Sequence, residues 1–440
     1  MSENSCVNFI IVKLPDKNMT FFTVVKLTVY KFFLFCMYFF LLAEYWESSK
    51  FVQPDGLSVQ SMLFSWTIFA LSLFFAKKIY ENENIEGNIF FALYVVYFIP
   101  SLVFWEFNPE PWDYIFAQLL YFTVMASAIL FMPKFSARAH SPFGFNSVFY
   151  VTLILIAGVI LVSFFVTRSR FLFSLSDVYG VRMMRVMKDV PLFLSYLFSC
   201  CRILLPLLFG IAVYRRAYPA TALILFLVLC AFSIDGLKST AFITLITGAG
   251  IFIAWRNIHI LNGILGILTC GLLEYCLFDS YLVIDYLRRV LAVPVQLNYV
   301  FYDYFSQPDH PFDYFRQSIM GKLGFESSYD LSIFQIIGGE YFDKWEMNAN
   351  NGLISDAFYN LGWPGLVIMP VLIVIVVRLL DSFVVGVPKQ CLLGIVVAFP
   401  YWLITSSFFT LFFTHGLVLL FTFLYFLPSF SKNKQISPHG

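Results

Sequence analysis

Asn146–Val166, NSVFYVTLILIAGVILVSFFV, carries no charged residue. A helix needs ~20 apolar residues to cross ~30 Å of hydrocarbon. In that medium only a helix or a closed barrel satisfies its own backbone polar groups. The stretch therefore reads as a membrane-spanning helix. Working outward, eleven more stretches of similar character lie at 25–44, 59–76, 89–107, 114–133, 191–214, 219–234, 239–255, 259–283, 362–380, 391–408 and 409–427. Pro400 and the polar run Thr405-Ser406-Ser407 mark a tight outer turn between the last two.

The composition agrees. Apolar residues make up 60% of the 440 and charged residues 12%, against ~25% charged in ordinary soluble domains. This excludes a soluble enzyme, a disordered chain and a secreted disulfide scaffold, and a net charge of +1 gives no basic footprint for nucleic acid. The fold class expected is an all-α polytopic integral membrane protein. About twelve transmembrane helices and one long outer loop are expected. Residues 1–440 form a single membrane domain.

The polar first twenty residues, with no small-residue cleavage site after the first apolar run, give a retained first helix. With the N-terminus inside, 15 of the 28 Lys and Arg fall on the inner side, among them Lys31, Lys134, Arg378 and Lys389. Both termini come out cytoplasmic. Arg202, Glu274 and Asp279 are mid-span charges, free to pair with one another. Two outer segments hold most of the remaining basic residues. One is 167–190, with Arg168, Arg170, Arg182, Arg185 and Lys188. The other is 284–361, with ten acidic residues against five basic ones. These two segments are expected to form the active-site face.

The cysteines form no CxxC pair and the histidines no HxxxH or HExxH, so neither a disulfide framework nor a metal site is supported. No phosphate-binding glycine loop is present. Neither metal nor cofactor is expected.

Three polar clusters stand at headgroup depth. Asp285-Tyr-Leu-Arg288-Arg289 follows the ninth span, and its two guanidiniums suit a diphosphate or lipid phosphates. Asp235-Gly-Leu-Lys238-Ser239 occupies an outer turn. In the third cluster Asn350 or Asn351 suits a helix cap, and Asp356 and Asn360 share one helical face. Gly362 and Pro364 close the turn into the tenth span. The aromatics of 284–361, Tyr302 among them, suit stacking on sugar rings but equally a membrane interface. His310, between Asp309 and Pro311, suits a general base or a solvated loop residue.

The run Asn351-Gly352-Leu-Ile-Ser-Asp356-Ala-Phe-Tyr-Asn360-Leu-Gly362 resembles a motif of the O-antigen polymerase family, the Wzy-type oligosaccharide repeat-unit polymerases. So does Arg288-Arg289-Val-Leu-Ala-Val-Pro294-Val-Gln-Leu-Asn298-Tyr-Val-Phe-Tyr302-Asp303. Asp235-Gly-Leu-Lys238-Ser239 is similar to the family's Gly-x-Lys-Ser turn. Ser176-Asp177-Val-Tyr179-Gly-Val-Arg182 is similar to its Asp-Val-Tyr-x-x-Arg segment. The resemblance covers residues 176 to about 362; the N-terminal third matches in hydropathy alone. It departs where Gly362-Trp363-Pro364-Gly365 inserts a proline.

The resemblance implies a glycosyltransferase of the bacterial cytoplasmic (inner) membrane that polymerises undecaprenyl-diphosphate-linked oligosaccharides on the outer face into O-antigen or capsular polysaccharide. Its partners would be those lipid-linked substrates, the bilayer and a chain-length regulator, with no nucleic acid. Arg288, Arg289, Arg182 and Lys238 are the candidates for the leaving diphosphate. Asp356, Asp303 and His310 are candidates for proton acceptor. Asn351, Asn360, Tyr302 and Asp177 are candidates for holding sugar. The competing expectations are an O-antigen ligase and a non-enzymatic lipid-linked oligosaccharide flippase or exporter.

Overall fold

The computed structural model describes residues 21–39, 57–81, 84–109, 111–135, 143–171, 191–236, 238–255, 260–278, 280, 282–385 and 387–428. Among these there is no strand. Helix α1 is Phe21–Met37 and α2 is Val59–Glu81. Helix α3 is Ile85–Phe107, α4 Trp112–Phe131 and α5 Phe145–Val166. Helices α6 (Leu192–Arg202) and α7 (Leu205–Tyr214) are halves of one broken element. Then come α8 (Tyr218–Asp235), α9 (Lys238–Trp255) and α10 (Ile260–Phe278). Helices α11 to α15 are Leu282–Leu291, Val293–Phe305, Ile319–Lys322, Ile333–Phe342 and Ile354–Leu361. Helix α16 is Gly365–Phe383, α17 Leu393–Thr405 and α18 Leu417–Phe426.

Eight helices among the described residues are long and apolar enough to cross a membrane. They correspond to the expected stretches beginning at 59, 89, 114, 146, 191, 219, 259 and 362. The stretches at 239–255, 391–408 and 409–427 contain shorter apolar helices, and the first is described only over 21–39. Helix α3 is buried over 83% of its apolar window and α10 over only 17%, so α3 is central and α10 peripheral. Phe74 on α2 and Ile154 and Leu155 on α5 face outward, as lipid-facing side chains do.

Helix α3 bends through a π-turn at Tyr94–Phe98, just before Pro100. Proline lacks the N–H that would close the next backbone bond. The Tyr30 hydroxyl donates to the free Val95 carbonyl at 2.9 Å. A second π-turn, Thr410–Thr414, ends at His415-Gly416. There the Tyr196 hydroxyl donates to the Phe413 carbonyl and Cys200 Sγ lies 3.6 Å from the Thr414 carbonyl. Both breaks are thus satisfied by side chains from neighbouring helices, as hydrocarbon requires.

One end of the bundle is fixed by Arg378. Its guanidinium donates to the Ile129 carbonyl of α4, to the carbonyls of Met132 and Pro133 just past its end, and to Glu86 Oε1 at 2.8 Å. Asp381, one turn on, accepts the Ile85 N–H at 2.9 Å. The start of α3 and the ends of α4 and α16 therefore lie together. Lys31 differs from expectation. It is fully buried in an ion pair with Glu106, at the far end of α3, with its ammonium 4.2 Å from the Trp66 ring centroid. A carboxylate 75 residues away holds it, so it is not an inner-surface charge. Glu274 does not pair with Arg202 either. It accepts the Val283 N–H and the Ser280 hydroxyl, both at 2.8 Å. Asp279 lies outside the described residues.

Residues 284–361 are let into the bundle. Helix α17 is entered through a 3-10 turn at Lys389–Leu392, and Lys389–Thr405 is one of the shorter apolar helices, whereas α6 and α7 together, Phe193–Tyr214, are long enough to cross. At the Thr405 end of α17 lies the segment that leads into α15, with the Gly352 N–H on the Ile404 carbonyl at 2.9 Å. Asn298 of α12 reaches Tyr97 at the π-turn halfway along α3.

Candidate functional site

Helix α15 carries Asp356 in its first turn. Its approach is tight. The Gly352 N–H donates to the Ile404 carbonyl at 2.9 Å, and a Cβ at 352 would strike the carbonyl oxygens of Leu403 and Ser406. The helix is preceded by Leu353 at φ +52°, with no side-chain cap. Asn351, expected as a cap, instead donates to the Pro294 carbonyl at 3.0 Å and to Ser355 Oγ at 2.8 Å. The shared face expected for Asp356 and Asn360 is present: Asn360 Nδ2 donates to Asp356 Oδ1 at 3.0 Å. The other carboxylate oxygen accepts the Phe408 N–H at 2.7 Å, and Asn360 Oδ1 accepts the Phe315 N–H at 2.8 Å. Burial raises the Asp356 carboxyl to about 6 even though the Phe408 N–H, Tyr359 and Asn360 stabilise its charged form.

Next to this network runs a polar seam. Ser355 donates its N–H to Asn298 Oδ1 at 2.7 Å, and Asn298 donates to the Pro294 carbonyl at 3.0 Å and to the Tyr97 hydroxyl. Gln118 donates to the Tyr114 hydroxyl at 2.6 Å. Asn351 Oδ1, Gln118 Oε1 and the Tyr121 hydroxyl are buried without a hydrogen-bond partner among the described residues. Tyr302 is buried too, its ring 4.6 Å from Phe358 and 5.5 Å from Tyr114.

The remaining candidates are spread more widely. Asp303 is partly buried and accepts the Tyr341 hydroxyl at 2.7 Å; burial and the Asp303 charge push that phenol up. His310 stacks on Tyr304 with centroids 3.7 Å apart, its Nδ1 2.8 Å from the Tyr304 carbonyl. Arg288 and Arg289 both pair with Asp285 on their own helix, at 3.0 and 3.4 Å. Lys238 is the first residue of α9. Asp177 and Arg182 lie outside the described residues, as does most of 167–190.

Sequence reasoning missed a cavity of about 300 Å³ at the α6–α7 break and the Thr405 end of α17. Arg202, Ser239, Asn350, Trp402, Ser406 and His415 line it. Arg202 stands at the α6–α7 break and is ion-paired with Asp235, which is almost wholly buried. The cavity therefore joins the 235–239 turn, the start of the 350–362 segment and the 405–407 turn. Two residues on, the Phe408 N–H binds Asp356. The polarity of 235–239 was legible; its meeting with 350–362 across more than a hundred residues was not. No protein-family model, no curated protein and no solved structure matches this chain.

Proposed function

We propose that the chain is an oligosaccharide repeat-unit polymerase of Wzy type, with twelve spans, cytoplasmic termini and the 284–361 face in the periplasm of a bacterial inner membrane. One observation carries the reading. Ser239, of the 235–239 turn that resembles one family motif, and Asn350, adjoining the 351–362 run that resembles another, line one cavity with Arg202. In the reaction an acceptor sugar hydroxyl attacks the anomeric carbon of the growing glycan. The bond from that carbon to undecaprenyl diphosphate breaks, and the hydroxyl proton passes to a protein base. Arg288, Arg289, Arg182 and Lys238 are the proposed partners of the departing diphosphate charge. Asp356, with both oxygens engaged, is better placed to position the 350–362 segment. Asp303 and His310 are more accessible as proton acceptors.

The test is deletion of the gene in its host and a gel of the surface glycan, complemented with wild type, Arg288→Ala or Arg289→Ala. A ladder collapsing to core plus one unit, restored by wild type alone, supports both the polymerase and the arginine roles. Restoration by the Arg variants keeps the enzyme and returns those residues to their pairing with Asp285. An unchanged ladder sinks the proposal. A second reading, a lipid-linked oligosaccharide exporter, is favoured by the buried pairs Lys31–Glu106 and Arg378–Glu86. Its loss, like that of a ligase, would remove the glycan altogether instead of leaving single units.

A further inference from the structure

We propose that the cavity lined by Arg202, Ser239, Asn350, Trp402, Ser406 and His415 is a saccharide subsite, in which Trp402 forms the platform for a pyranose ring and the polar side chains bind its hydroxyls. The polymerase reading assigns that ring to the acceptor; saccharide binding as such rests on the cavity alone. Among the described residues the rings of Trp66, Trp105 and Trp363 lie against Phe69, Trp112 and Tyr302, and the Trp345 ring covers Gly339. Trp402 has no ring partner among the described residues, and it lines a space of about 300 Å³, at the lower end of the ~300–1,000 Å³ of ligand pockets. The His415 ring and the side chains of Asn350, Ser239 and Ser406 likewise have no hydrogen-bond partner among the described residues.

This is the inventory a neutral polyol needs. An imidazole offers one donor and one acceptor, an amide two donors and an acceptor, and each hydroxyl both. A phosphate fits less well, because Asp235 already neutralises Arg202. The pair instead presents a rigid polar wall. Arg202 is held between Asp235 and the face of Phe198, 5.3 Å from the ring centroid. The recess lies where α6 and α7 break at Ile203-Leu204 and where α17 ends at Thr405.

The experiment uses the full chain purified in lipid nanodiscs. Saturation-transfer NMR would probe it with glucose, galactose, N-acetylglucosamine and oligosaccharides released by mild acid from the host's own surface glycan; inorganic pyrophosphate would be the competing probe. Saturable binding of a saccharide is expected, weakened about tenfold by Trp402→Ala and less by Trp402→Phe. His415→Gln should weaken it severalfold. If Trp402→Ala fails to give monodisperse protein, Trp402→Phe and His415→Gln decide the question. The proposal is overturned if no saccharide binds, or if the folded variants bind as wild type does. It is equally overturned if pyrophosphate occupies the cavity and is lost with Arg202→Gln, which would make this a phosphate site. An unchanged glycan ladder alongside intact saccharide binding would remove the polymerase and leave the subsite. A collapsed ladder without binding would do the reverse.

Discussion

Replacing Lys31 by Met should cost far more than replacing Lys31 and Glu106 together. Both side chains are fully buried, the ammonium lies over Trp66, and Glu106 Oε2 has no hydrogen-bond partner among the described residues. Removing one member of a buried pair typically costs ~3–5 kcal/mol. The same figure follows from the escape route open to the survivor. A lone carboxylate of ordinary pKa near 4.3 can be neutralised at pH 7 for about 4 kcal/mol, and a lone ammonium of ordinary pKa near 10.4 for about 5 kcal/mol. Those costs cap the damage of Lys31→Met and Glu106→Gln respectively. The double variant Lys31→Met/Glu106→Leu keeps the volume and leaves no charge, so it should lie within ~1–2 kcal/mol of wild type. The assay is the fraction of monodisperse protein after heating in detergent, read by size exclusion. At about 2 °C per kcal/mol, each single variant should lose roughly 6–10 °C and the double far less. If the double falls as far as the singles, the pair is not the source of the loss and the reasoning is refuted.

Three further outcomes follow. Asp356 is raised from an ordinary 3.8 to about 6 in the folded chain, so folding takes up a proton between those values and wild type should gain stability as pH falls. The gain is about 1.4 kcal/mol between pH 7.5 and 5 and approaches 3 kcal/mol below pH 3.8. Asp356→Asn should remove this slope, and equal slopes in thermal melts of the two proteins would count against the buried acid. Gly352→Ala drives a methyl into the Leu403 and Ser406 carbonyls and should cost on the order of 2–4 kcal/mol. Wild-type melting of that variant would show that the 350–352 segment is not laid on α17. Arg378→Ala strips the end of α4 and leaves Glu86 alone, for ~3–5 kcal/mol; Arg378→Lys should rescue only part, because one ammonium cannot reach three carbonyls and a carboxylate.

The helical membrane character was legible because it is carried by long apolar runs such as 146–166. So was the contact of Asp356 with Asn360, which needs only the helical repeat. The turn after Thr405 was legible for the same local reason. What was hidden depends on partners distant in sequence. Lys31 counts as a surface charge until Glu106 is placed beside it. Arg288 and Arg289 read as a free clamp, yet Asp285 one turn earlier occupies both. The descent of 284–361 into the bundle rests on contacts distant in sequence, Asn298 on Tyr97 and Gly352 on the Ile404 carbonyl. His415 is a lone histidine in an apolar run and acquires meaning only because the helix breaks beside it and Arg202 stands opposite.

The joint at Arg378 also has a history. Its acceptors Glu86 and the carbonyls at and just past the end of α4 are made long before it, the Met132 carbonyl 246 residues earlier. At ~5–20 residues per second of synthesis, Glu86 and those carbonyls wait roughly 12–50 s for their guanidinium. The nascent chain is therefore most vulnerable between the emergence of α4 and that of α16. Any product ending before residue 378 would hold that vulnerability permanently, offering quality-control proteases a buried carboxylate and an open helix end in place of a finished bundle.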